Sequence, residues 1–212
     1  MANHSSAQSL RLASKSGVTL DSVLGAGGGR VPEGSRIDLL KYLTQLKRLL
    51  SGLPERDGKP APLFRVHCSA NGTPLGLEPI QGEIVLVRGL ARLCFKERTS
   101  VLRDCALSFD CYTYQFLPLN TNTEQFRHLG FRIDKDRNER AHANTDPAVR
   151  DRFGDHLHYP EDTQVKIDDL CLYCALGISL RYEDNPAEYP FDPAYGRKYN
   201  EVIERLRKKV ER

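Results

Sequence analysis

The sequence predicts an α+β fold: a mostly antiparallel sheet of about five or six strands covered by helices, with helical extensions at the N- and C-termini. Three observations carry that expectation. Apolar residues recur with period two through several runs between residues 62 and 134, the repeat of strands with one buried and one polar face. From residue 163 the period lengthens to that of a helix. The chain has 212 residues, 40% hydrophobic and 28% charged, enough to bury one medium core.

Residues 1–35 are rich in Ser, Ala and Gly and hold only Asp21 and Glu33 as acids, which predicts a disordered leader with too little to bury. Its glycines precede no Gly-Lys-Ser/Thr, so they do not form a phosphate loop, and its basic, Ser-rich composition is shared with transit peptides. In RIDLLKYLTQLKRLLSGL, Ile37, Leu40, Leu43, Leu46 and Leu50 recur at helical spacing. They predict an amphipathic helix over 36–53, capped by Ser35 and closed by Gly52 and Pro54.

An α+β domain is expected over 62–183. LFRVHCS and EIVLV read as strands, and ARLCFKE and VLRDCALSFDCYTYQFL as a hairpin that turns at residues 98–100. In the longer strand Cys105, Leu107, Phe109 and Cys111 share one face, while Asp110, Tyr112 and Tyr114 share the other. Residues 127–134 supply the next strand and HLHYP the last. Thr163 or Asp162 caps a helix that places Ile167, Leu170, Cys171, Cys174 and Ile178 on one side, across the apolar face of the sheet. A proline-punctuated linker and a basic amphipathic helix, with Val202, Leu206 and Val210 inward, fill 184–212.

The net charge of +3 and pI near 8.5 neither require nor oppose a nucleic-acid partner. No run approaches the roughly 20 apolar residues of a membrane span, so no membrane partner is expected. Cys68, Cys94, Cys105, Cys111, Cys171 and Cys174 mostly lie in apolar runs, where cysteine behaves as a small buried hydrophobe. No signal peptide is expected before them, which makes the reducing cytoplasm the expected compartment.

Residues 127–160 gather His128, His142, His156 and His158 among arginines and aspartates. In RHLGFRIDKD, Leu129, Phe131 and Ile133 alternate with His128, Gly130, Arg132 and Asp134. In HLH, both imidazoles flank Leu157 and point the same way. If these two strands pair, His, Arg and Asp collect on one sheet face.

The order of Phe131, Arg132 and Asp134 on a strand, a variable polar turn, His156, Leu157, His158 and Pro160, then a helix, resembles the TumE-like toxin family of bacterial toxin–antitoxin modules and related uncharacterised domains. The resemblance covers residues 90–182. It implies a cytoplasmic bacterial protein that acts on RNA, or a subunit of a defence or toxin system with a cognate antitoxin or defence-complex partner. The leader, the first helix and the basic last helix are additions to the family's pattern.

Metal-independent cleavage of RNA needs a base for the 2′-hydroxyl proton, an acid for the leaving oxygen, and a cation for the phosphoryl charge. Imidazoles titrate near neutrality and a guanidinium forks onto phosphate. The candidate acid and base are therefore His156 and His158, with Arg132 on the phosphate, Asp134 orienting a histidine, and His128 in reserve. Candidate substrate contacts are His142, also in reserve for the acid–base step, Tyr112 and Tyr114 for stacking bases, and Arg207 and Lys208 on the most cationic helix. No cofactor or metal is expected. A zinc set of His156, His158, Cys171 and Cys174 competes with a buried cysteine pair, and the helical spacing of the two thiols favours the pair. The alternative function is a non-catalytic subunit of a bacterial defence or toxin–antitoxin complex that binds a protein partner or nucleic acid through its sheet and terminal helices; a purely structural reading makes the histidines surface strand residues and Arg132 and Asp134 an ion pair.

Overall fold

The computed structural model describes residues 37–53, 66–72, 74–77, 80–102, 105–119, 129–137, 139–158, 162–168 and 170–212. The expected leader, the Ser35 cap and the first linker lie outside them. In chain order the elements are β1 (Ile37–Asp38), α1 (Leu39–Ser51), β2 (Val66–Cys68), β3 (Pro74–Leu77), β4 (Ile80–Val85), β5 (Ala91–Val101), β6 (Ala106–Pro118), β7 (Phe131–Lys135), β8 (His142–Thr145), α2 (Arg150–Phe153), β9 (His156–His158), α3 (Leu172–Asp184) and α4 (Gly196–Val210). Strands β4 to β9 lie side by side in sequence order, every neighbouring pair antiparallel, and β1 pairs with the start of β6. The sheet thus has seven strands, and β2 and β3 form a separate hairpin.

The long ribbon of β5 and β6 differs from the expected hairpin in two ways. Arg98 and Ser100 face outward while Thr99 is buried, so the alternation continues and the reversal comes only after Val101. There the Leu102 N–H donates to the Ala106 carbonyl (2.8 Å), the Cys105 N–H donates to the Leu102 carbonyl (3.0 Å), and Cys105 takes a positive φ of 61°. Farther along, Arg98 pairs with Cys111 and Thr99 with Phe109, which leaves Asp110 as an extra residue in a β-bulge. The bulge advances the alternation by one. Phe109, Tyr112, Tyr114 and Phe116 therefore all enter the core, and Thr113 and Gln115 face out.

The core lies on one face of the sheet, between its inward side chains and α3. Residues 163–168 do not extend that helix. They approach it with Thr163, Val165 and Ile167 buried in alternation, and the Thr163 hydroxyl accepts only from its own turn, at the Val165 N–H (3.1 Å). The Tyr112 hydroxyl donates to the Ile167 carbonyl there (2.5 Å). Helix α1 starts at Asp38, whose side chain accepts from the Lys41 N–H (2.9 Å). Helices α1 and α4 pack on α3 and on each other. At the α3–α4 crossing Gly177 has no side chain, and a Cβ there would collide with Leu206.

Two buried carboxylates fasten α3 to the sheet. At its start Glu97 of β5, 7% exposed, accepts from the Tyr42 hydroxyl (2.6 Å), the Tyr114 hydroxyl and the Leu172 N–H (2.7 Å). At its end Glu183, 1% exposed, accepts from the N–H groups of Arg88 and Leu90 (both 3.0 Å) in the β4–β5 turn. Burial pushes the Glu97 carboxyl above its ordinary value, and the three donors pull it partly back.

Replacing Glu97 by Ala leaves two hydroxyls and the first N–H of α3 without their acceptor, and should cost about 3 kcal/mol or more in chemical denaturation. Glu97→Gln should cost less. A carboxyl with a raised folded pKa contributes stability that is present below its unfolded value of 4.5 and lost as pH rises through the folded one. Melting curves should accordingly show the gap between wild type and Glu97→Gln closing as pH rises from 4.5 upward.

Candidate functional site

The face of the sheet opposite the core is polar, and the strand register sorts its side chains into two rungs. One runs Lys96, Thr113, Asp134, His142, His158, and the other Cys94, Gln115, Arg132, Asn144, His156. Lys96, Arg132, His156 and His158 are exposed, and among the described residues no helix is seated on this face. Each strand earns its place by the residues between these: Phe131 and Ile133, Ala143, and Leu157 are buried on the other side.

Asp134 is the anchor of the site. Only 7% exposed, its carboxylate accepts from the Thr113 hydroxyl (2.8 Å), the Asn144 amide (3.1 Å) and the Arg132 Nε (2.8 Å). Three strands are thus tied through one side chain. The Arg132 guanidinium, half exposed, is held through Nε. Such a group has five N–H donors.

Beside this network three imidazoles lie in contact. The His142 and His156 rings stack at 4.4 Å between centroids and 22° between planes, and the His156 and His158 rings are 4.4 Å apart at 50°. His156 is the middle ring. Partial burial between its neighbours pushes its pKa below the ordinary 6.5, and positive charge on His142 or His158 pushes it further; Asp134 and Asp162 pull it back less strongly. The backbone N–H of His158 donates to Asp162 (3.0 Å), which fixes the edge strand. His142 Nδ1 lies 3.3 Å from the Arg140 carbonyl.

The structure brings together His142, His156, His158, Arg132 and Asp134. The strands of Arg132 and of His156 do not pair directly, however. The stretch that reads as a polar turn contains β8, which inserts between them and adds Asn144. Asp134 holds Arg132 and Asn144 and, among the described residues, accepts no hydrogen bond from a histidine. His128 lies outside the described residues. Compared with family models, curated proteins and solved structures, the chain matches none. The site therefore rests on its own geometry.

Tyr112 and Tyr114 do not stack beside the imidazoles. Both are on the core face, 2% and 0% exposed, because of the bulge at Asp110. Arg207 and Lys208 are remote as well. They sit on α4 in the helical layer behind the sheet, where Arg207 donates to the Asp168 carbonyl (2.7 Å). Cys171 and Cys174 lie in the core with their sulfurs 3.6 Å apart, separated by the sheet from His156 and His158, so these four do not form one ligand set. Among the described residues no group of three or more His, Cys, Asp or Glu is arranged to hold a metal ion. A surface depression of about 570 Å³ on the helical side, lined by Thr163, Lys166, Asn200 and Glu204 among others, is bridged by the Lys166–Glu204 ion pair and holds none of the candidate site residues.

A carbon-detected NMR titration should place the His156 midpoint below 6.5. With His142→Ala and His158→Ala combined it should move up toward that value, since both a burial contribution and two repulsive charges are removed.

Proposed function

We propose that the outer face cleaves RNA by metal-independent acid–base catalysis, with His156 as base, His158 as acid and Arg132 on the phosphate. The contact between three imidazoles on an exposed face is the observation that carries this reading. His156, its pKa lowered, stays unprotonated near neutral pH and takes the proton of a 2′-hydroxyl. The 2′-oxygen forms a bond to phosphorus and the bond to the 5′-oxygen breaks. His158, as imidazolium, gives its proton to the departing oxygen. The products are a 2′,3′-cyclic phosphate and a 5′-hydroxyl, and the two histidines end with their protonation states exchanged.

Arg132 is two strands from His156, about 10 Å between backbones, a gap that its side chain and a bound phosphate together span. Its guanidinium offsets charge developing on the non-bridging oxygens. Asp134 fixes that guanidinium, and His142 fixes the plane of the His156 ring by stacking on it. The likeness of the Phe131-to-Pro160 motif to TumE-like toxins supports the same reading, and with it a role as toxin or defence component in a bacterial cytoplasm, held in check by a cognate antitoxin protein. Six unbridged cysteines suit such a reducing compartment.

His156→Ala and His158→Ala should each lower cleavage of a defined RNA in EDTA by about a hundredfold or more. Their unfolding free energy should stay within about 0.5 kcal/mol of wild type, since both side chains are exposed. Wild-type cleavage by both variants, or no cleavage by the intact chain, would overturn the assignment.

A further inference from the structure

We infer that the substrate of this face is single-stranded RNA laid across the strands, with Lys96 and Arg98 of β5 holding a phosphate remote from the one that is cut. The inference rests on the reading of the imidazole cluster as the cleavage site. The register carries it. Lys96 lies on the same rung as Thr113, Asp134, His142 and His158, three strands from His142, which is about 14 Å at the usual strand spacing. A cation there is too far to touch the scissile phosphate and well placed for one farther along the same backbone.

Charge points the same way. The other cations of the face are engaged: Arg92 pairs with Glu83 (3.3 Å) and Arg132 with Asp134. Lys96 and Arg98 are exposed, and among the described residues neither lies within ion-pair distance of a carboxylate. Between them and the imidazoles the rungs carry, besides the paired Asp134 and Arg132, the neutral Thr113, Gln115 and Asn144, which can meet sugar hydroxyls and base edges. The stacked His142 and His156 rings are the aromatic surface this face offers a splayed-out base.

A duplex does not suit it. Attack requires the 2′-oxygen in line with the breaking bond, a conformation that an unconstrained strand reaches and an A-form helix does not, and unstacked bases are what side chains can read in RNA.

The test uses the full chain and a fluorescent oligoribonucleotide whose 2′-oxygens are methylated, so that it binds without being cut. Anisotropy should show binding that Lys96→Glu combined with Arg98→Glu weakens about tenfold or more, with the salt dependence of log K flatter by about two. Arg197→Glu, a charge reversal at an exposed residue of α4 behind the sheet, should bind within about threefold of wild type, and a hairpin duplex of the same length should bind the wild type at least about tenfold more weakly. Equal binding by the charge-reversed protein, or equal binding of the duplex, would overturn the inference. Cleavage of unmodified RNA is scored in parallel. Oligonucleotide binding without cleavage refutes the catalytic reading alone, and cleavage untouched by the charge reversal refutes the second anchor alone.

Discussion

Glu97 sits where water cannot reach it, so its carboxyl needs donors from the protein, and the donors it has come from three different elements. Tyr42 belongs to α1, Tyr114 to β6, and the Leu172 N–H to the first turn of α3. A carboxyl oxygen at a helix N-terminus is favoured as an acceptor by the free N–H groups and, when ionised, by the helix dipole. One side chain thus fixes where α3 begins, how α1 leans on it, and which face of β6 looks inward. A helix that began at residue 163 would lose this contact and the Tyr112 bond to the Ile167 carbonyl together.

The outward face inherits its order from that inward constraint. With Tyr112 and Tyr114 pulled into the core, Thr113 and Gln115 must face out, and the bulge at Asp110 reconciles that phase with Phe109 farther back. Thr113 then meets Asp134, which in turn sets Arg132 and Asn144. The chemistry proposed for the histidines depends on a second network of the same kind, this one at the surface. Each network is a carboxylate surrounded by donors from neighbouring elements, and the sheet separates the two.

Much of this was legible in the residues. Period two in FRID and HLH correctly put Arg132, Asp134, His156 and His158 on the polar face, because Phe131, Ile133 and Leu157 leave no other choice of core face. The helices at both ends were visible in their apolar spacing, and the α+β class follows from the change of period. The bulge was not legible, since Asp110 interrupts a run in which both phases offer large apolar residues. Nor was β8, whose inward residue is Ala143, too small to mark a strand against its polar neighbours. Without β8, Asn144 is hidden and His142 falls in a polar turn, when it lies on a strand and stacks on His156. The place of Lys96 on the rung of His142 and His158 is a matter of register across five strands, which no local pattern records.

The chemistry at the broken ends of the RNA tests the central claim most directly. Attack by a 2′-oxygen under two imidazoles leaves a 2′,3′-cyclic phosphate, or the 3′-phosphate from its hydrolysis, opposite a 5′-hydroxyl, and does so in the presence of EDTA. Mass spectrometry of the fragments from a defined oligonucleotide should find those ends. Fragments with 3′-hydroxyl and 5′-phosphate ends, formed only when a divalent metal is supplied, would contradict the account.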